Sequence, residues 1–320
     1  MTLERFIKAP HSEELLTGFS ETLIGDFSMT QFELAGGGIP GFEHTQRSSV
    51  LIGKNNQDAW LTYNSRALTI AVVSDGCGSK AHSEVGSFLL TRLFVAALER
   101  CWFEESRPDD SFEMRLPDAL DAAKRATLCV LGDLSRKSLP REGPNGGRAS
   151  YSELVSEYLL CTLVGVVIVG DRVAFFSLGD GVIVINGEPT TLGPFEGNEP
   201  PYAAYSLLKT RWSEDDLRIK IHRVMDVGEL ESFLIGTDGV IDLRDAAEKT
   251  LPGSAETIGP LSQFWTEDRY FTRSGIRRRL ARIQSRQPNP SRPGNEIEEG
   301  RLRDDTTLIV GRRRRERSDG

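Results

Sequence analysis

The chain lacks clustered cysteines, long apolar runs and an excess of positive charge, and each lack closes off a class of function. Its four cysteines (Cys77, Cys101, Cys129, Cys161) stand far apart with no C-x-x-C pair, so neither a thiolate zinc site nor a redox dithiol is indicated. Three of them fall in apolar or helical stretches, where a buried reduced thiol is the ordinary reading. No apolar segment approaches the ~20 residues needed to span a bilayer. The opening residues carry no positive stretch followed by an apolar one, so no secretory signal is expected. Acids outnumber bases, 47 Asp+Glu against 39 Lys+Arg, for a net charge of -8. A nucleic-acid-binding domain would show the reverse balance. The expectation is a cytoplasmic protein with neither a membrane nor a nucleic-acid partner.

What is present is ordinary globular material, 38% hydrophobic and 27% charged, in a chain long enough for one large domain or two small ones. Residues 1 to 45 read as an N-terminal extension, with Gly36-Gly37-Gly38 expected to be flexible. Ala59–Tyr63 and the β-branched run Ala67–Ser74 read as strands. Apolar residues from Leu89 to Leu98 recur at helical spacing, and a second amphipathic helix fits Pro117–Arg136. Residues 137–150, rich in Pro, Gly and Arg, read as a loop. Tyr158–Val169, Arg172–Leu178 and Val182–Asn186 are strands separated by Gly170-Asp171 and Gly179-Asp180-Gly181, which suggests an antiparallel meander. Further strands fit Ile219–Val224 and Ser232–Gly236, then a basic helix Gly275–Arg286, an exposed stretch 287–300 and a last strand Thr306–Val310. A charged tail, 313–320, follows the main domain, 46–312. Helices and strands come in blocks, which argues for a layered α+β domain.

The informative feature is where the acids fall. Asp58 opens a strand, Asp75 and Asp238 each close one, and Asp304 opens the last. In an antiparallel sheet the end of one strand lies beside the start of its neighbour, so pairing of these strands would gather four carboxylates along one sheet edge. Such a cluster repels itself and raises its own pKa values, and divalent cations relieve it. Oxygen-only ligands suit Mg²⁺ or Mn²⁺, and a pair of such ions can activate a water and neutralise a phosphoryl group. The competing reading makes each Asp-Gly pair a simple turn. Spacing alone leaves both open.

The sequence elements Asn56–Ala59 (NQDA), Val72–Ser79 (VVSDGCGS), Ser177–Gly181 (SLGDG), Ile235–Val240 (IGTDGV) and Asp304–Val310 (DDTTLIV) resemble, in order and rough spacing, the motifs of the protein phosphatase 2C family. The similarity runs from about Ser48 to Arg312, and the bacterial subgroup with Q-D, G-x-G-S and G-D-G is the best match; Glu196–Glu199 resembles its G-N-E element. The resemblance implies a four-layer α-β-β-α sandwich of two mainly antiparallel sheets, with the site in a cleft at one end. It implies a signalling phosphatase acting on phosphoserine and phosphothreonine in a protein partner, through a water bridging two Mn²⁺ or Mg²⁺ ions and without a phosphoenzyme. Carried over by position, Asp75 would bridge both metals and the Gly76 carbonyl would face one. Asp58 would serve the second metal, and Asp238 and Asp304 the first. Asp180 stands where the family has an acid linked to a third metal, and a hairpin-turn aspartate is its other reading. Asp305 is held in reserve behind Asp304.

Some positions depart from the pattern. Gly53 occupies the place of an Arg that holds the phosphate in many members, leaving Lys54 or Arg47 as substitutes, although Lys offers a point charge in place of a fork. Cys77 stands where some members have a His, and a thiol with pKa near ~8.5 is a poor acid; His82 lies nearby in sequence. The missing Arg keeps in view a degenerate module that binds a phosphoprotein or partner without turnover, and a further reading is another two-metal phosphoesterase acting on a nucleotide or small phosphomonoester.

Overall fold

Leu68–Ser74 (β4) is buried at every position, as a strand covered on both faces must be. Its side chains divide by parity: Ile70 and Val72 face a helical layer, while Ala71 and Val73 face a second sheet. The same alternation recurs in the last strand, β13 (Thr306–Arg313), where Leu308 and Val310 face helices and Ile309 faces the other sheet. These observations come from a computed structural model that describes residues 22–24, 31–45, 55–65, 67–104, 111–138, 150–288 and 297–314.

The strands in chain order are β1 (Thr22–Ile24), β2 (Phe32–Ile39), β3 (Ala59–Asn64), β4, β5 (Leu163–Val169), β6 (Arg172–Leu178), β7 (Gly181–Ile185), β8 (Glu188–Leu192), β9 (Lys220–Asp226), β10 (Ser232–Gly236), β11 (Gln287–Pro288), β12 (Ile297–Glu298) and β13. The helices are α1 (Phe42–Thr45), α2 (Glu84–Glu104), α3 (Phe112–Lys137), α4 (Tyr151–Tyr158), α5 (Gly239–Asp245), α6 (Gln263–Thr266) and α7 (Gly275–Ile283). One sheet has the order β1-β3-β4-β5-β6-β9 and the other β2-β13-β10-β7-β8, while β11 and β12 form a small ribbon. Neighbours within the two large sheets are antiparallel except β1 with β3. Helices α2 and α3 bury Phe94, Leu98, Leu120 and Leu131 on the first sheet, and α5 and α7 bury Leu243, Ile276 and Leu280 on the second. Between the sheets lie Val166, Phe175, Phe233 and Ile235. The result is the four-layer α-β-β-α sandwich.

Three sequence expectations are corrected. The Gly36-Gly37-Gly38 run is not flexible: it sits inside β2, which pairs with β13 over its whole length. A Cβ at Gly36 would lie 2.6 Å from the Trp60 ring, and one at Gly37 would lie 2.9 Å from the Arg277 backbone nitrogen. Glycine is there for close approach between layers. The sheets therefore begin ahead of residue 46, inside the stretch read as an extension. The meander is also only half present. β5 and β6 pair as a hairpin, but Gly179-Asp180-Gly181 carries the chain from the first sheet to the second, with both glycines at positive φ (100° and 141°). The expected strand from Tyr158 is split: Ser150 and Glu153 form a capping box that starts α4, and β5 begins only at Leu163. Residues 139–149 and 289–296 of the two expected loops lie outside the described residues, as does the tail from residue 315.

Candidate metal centre

The antiparallel pairing β3–β4 sets Ala59 opposite Ser74, so Asp58 and Asp75 flank one strand pair at the same end. The pairing β10–β13 sets Gly236 opposite Leu308, which brings Asp238 and Asp304 to the end of the other sheet. The four acids were expected along one sheet edge. They occupy the ends of two facing sheets, and Asp180 joins them because its crossover passes between those sheets.

Asp58 is held through its carboxylate and Asp75 through its backbone. Thr237 Oγ1 donates to Asp58 Oδ2 at 2.8 Å, and the Asp58 amide donates to Asn56 Oδ1 at 3.0 Å. The backbone of Asp75 is clamped to Thr162, which donates its amide to the Asp75 carbonyl at 2.8 Å and accepts the Asp75 amide on Oγ1 at 3.1 Å. The Gly76 amide donates to the Gln57 carbonyl at 3.1 Å, and a Cβ at Gly76 would sit 2.6 Å from that oxygen. The two strand-end motifs therefore touch through a position that only glycine fits. Gly239 plays the same part on the second sheet, where a Cβ would meet the Asp305 carbonyl at 2.1 Å.

The electrostatics are those of an uncompensated anion cluster. Burial raises Asp75 well above the usual carboxylate range, with Asp58, Asp238, Asp304 and Asp180 adding repulsion. Burial raises Asp58 likewise, and Asp305, Asp238 and Asp304 push it further than Thr237 can draw it back. Asp238 is pushed up to about 7 by burial and by Asp304 and Asp180, and Asp180 to about 6 by burial and Asp304. Burial also raises Asp304, offset by the Asp305 amide and by His44. Asp58 Oδ1 and Asp180 Oδ1 are buried with no hydrogen-bond partner among the described residues. Buried, unpaired and mutually repelling carboxylate oxygens at a rigid sheet end form a donor set suited to hard divalent cations.

The adjacent pair Asp304 and Asp305 has divided its work. The Asp304 side chain is 54% exposed and faces the cluster, while that of Asp305 is 2% exposed. Asp305 accepts the amides of Gly41 and Gln57 and lies 2.9 Å from His44 Nδ1. It ties α1 and the Asp58 approach to the last strand. His44 carried no signal in the sequence, since it lies upstream of every motif. Its ring, Asp304 and Asp305 bring ligand-capable atoms within 4.8 Å of one another. His82 is placed by stacking on Tyr158 (5.1 Å) and lies 3.9 Å from Glu84, on the side of α2 and α4. Cys77 approaches Ser79 Oγ at 3.2 Å. Arg47, Gly53 and Lys54 lie outside the described residues.

The fold and the acid cluster define a class: a two-sheet sandwich that gathers carboxylates at the mouth between its sheets. Residues 45–281 match the family model of protein phosphatase 2C, and the chain belongs to this family. Among solved structures it is similar to the serine/threonine phosphatase Stp1 from Staphylococcus aureus, with 15% identity, a TM-score of 0.51, and 91% of this chain and 100% of that one covered. It is also similar to a serine-threonine phosphatase 2C from Toxoplasma gondii, with 16% identity, a TM-score of 0.51, and coverage of 90% and 96%. The catalytic domain of the phosphatase PstP, solved with two manganese ions, matches at 15% identity and a TM-score of 0.45, over 88% of this chain and 97% of that one. No curated protein matches the chain significantly. No helix among the described residues is long and apolar enough to cross a membrane.

Proposed function

We propose that the chain hydrolyses phosphoserine and phosphothreonine in proteins with a pair of Mn²⁺ or Mg²⁺ ions, without a phosphoenzyme. The observation that carries this reading is the set of largely desolvated, mutually repelling acids from two sheets, with Asp58 Oδ1 buried and without a partner among the described residues. Asp75 and the Gly76 carbonyl, with Asp58, would hold the pair from the first sheet, and Asp238 and Asp304 from the second; Asp180 would serve a third ion. Bound there, the ions would supply an activated water and neutralise the phosphoryl charge. The chain's own contribution is orientation. Thr237 aims Asp58, the Thr162 clamp fixes Asp75, and the Asp305 amide donates to Asp304 Oδ1 at 2.8 Å. Prepaid positioning of this kind lowers the barrier because nothing has to reorganise during the reaction. The complete acid set stands against a module that binds without turnover. The catalytic unit we assign is residues 46–312 together with β2, in a cytoplasmic setting.

Phosphate release from a phosphothreonine peptide tests the reading. Release should appear with Mn²⁺ or Mg²⁺, vanish in EDTA, and fall by at least ~10³-fold in Asp75→Ala. A wild-type rate in that variant would sink it.

A further inference from the structure

Beside the acid cluster lies a cavity of about 210 Å³ lined by Glu43, Asp238, Gly239, Asp242, Arg303 and Asp304. One of these lining residues is cationic. Arg303 Nε and Nη2 both donate to Glu43 Oε1, at 3.0 and 2.8 Å. That fixes one edge of the guanidinium, while Nη1 has no partner among the described residues. The backbone beneath the pair is stapled. The amides of Phe42 and Glu43 donate to the carbonyls of Leu302 and Arg303 at 3.0 and 3.2 Å, and the Arg303 amide donates to Asp242 Oδ2 at 3.2 Å. A Cβ at Gly41 would meet the Arg303 carbonyl at 2.3 Å, so the approach of α1 to this segment depends on glycine.

We infer that Arg303 grips the phosphoryl oxygens of the substrate and that Glu43 is the residue that positions it. The inference rests on the phosphatase reading above. The pair is solvent-rich, with side chains 69% and 53% exposed, so it contributes little to stability. A guanidinium anchored along one edge still offers planar donors from the other, which is the geometry that matches a phosphate. The anchoring also lowers the entropy lost when a ligand is gripped. Glu43, Asp238, Asp242 and Asp304 repel a dianion from the cavity, so phosphate should enter only after cations have neutralised Asp238 and Asp304. Arg303 then meets the phosphoryl group on the side away from Asp58 and Asp75, which do not line the cavity.

Calorimetric titration of inorganic phosphate into full-length protein saturated with Mn²⁺ tests this, with a separate Mn²⁺ titration of each variant. In Arg303→Ala the phosphate Kd should rise about tenfold while Mn²⁺ affinity stays within roughly twofold. Arg303→Lys should recover only part of the loss, since it restores charge but not the fork. Glu43→Gln should weaken phosphate binding and Glu43→Asp should rescue it in part. With a phosphopeptide the Arg303→Ala defect should fall mainly on KM. Wild-type phosphate affinity in Arg303→Ala overturns the inference. So does a loss of phosphate binding matched by loss of Mn²⁺ binding, or wild-type protein that binds no phosphate at saturating Mn²⁺. The two readings fail separately: wild-type protein that binds phosphate through Arg303 but releases none from a phosphopeptide defeats the hydrolase reading alone.

Discussion

At the scale of single residues the decisive contrast is Asp304 against Asp305. The two residues lead into β13, and their side chains diverge there: one carboxylate reaches the cluster while the other is buried, accepting the amides of Gly41 and Gln57. The two should therefore respond differently to truncation. Asp304→Ala should abolish turnover and leave the melting temperature of the metal-free protein unchanged or raised, because it removes a repelling charge. Asp305→Ala should cost about 3 kcal/mol, since it strands two buried amides and the facing His44. Thermal melts in EDTA alongside activity with Mn²⁺ would check both, and equal melts would refute the division. The sequence made Asp304 legible through its place in a motif. His44 was illegible because its role comes from a contact across more than 250 positions, between α1 and the last strand.

At the scale of elements, the glycine run in β2 shows how composition misleads. Three consecutive glycines suggest a hinge on entropy alone, yet here the missing side chains let β2 fit between β13, α7 and Trp60. Gly37→Ala should press a methyl onto the α7 backbone and lower stability by about 1–3 kcal/mol. Urea unfolding would measure it, and a neutral result would mean that α7 yields easily. The Gly179–Gly181 turn misled for a related reason. A short Gly-Asp-Gly link reads as a hairpin, but nothing local decides whether the next strand pairs with the one it left or crosses to the facing sheet. β7 crosses because Val182 and Val184 find their partners on α5 and β10, while Ile183 faces the core between the sheets.

At the scale of the whole molecule, the acid cluster draws Asp58 and Asp75 from one sheet and Asp238 and Asp304 from the other. In the metal-free protein these groups push the sheet ends apart, and cations should draw them together. Saturating Mn²⁺ should raise the melting temperature by about 4–8 °C, the effect of one or two ions each at roughly a hundred times its Kd on a chain of this size. Asp75→Asn should erase that shift and melt higher than wild type in EDTA, since one buried repelling charge is gone. A full Mn²⁺ shift in that variant would place the ions elsewhere.

The sequence by itself determined the existence of β3 to β7, β9, β10 and β13, the two long helices and the strand ends on which the acids sit, because alternation, helical spacing and turn residues are local properties of the chain. It also determined the family, since the ordered motifs lie along one line. Tertiary structure alone decided that two sheets face each other at the acid cluster, that Asp305 and His44 brace Asp304, and that Arg303 shares a cavity with Asp238. The reason is physical. Register and strand polarity are written in neighbouring residues, but the face against which a strand packs depends on apolar surface contributed by segments hundreds of residues away.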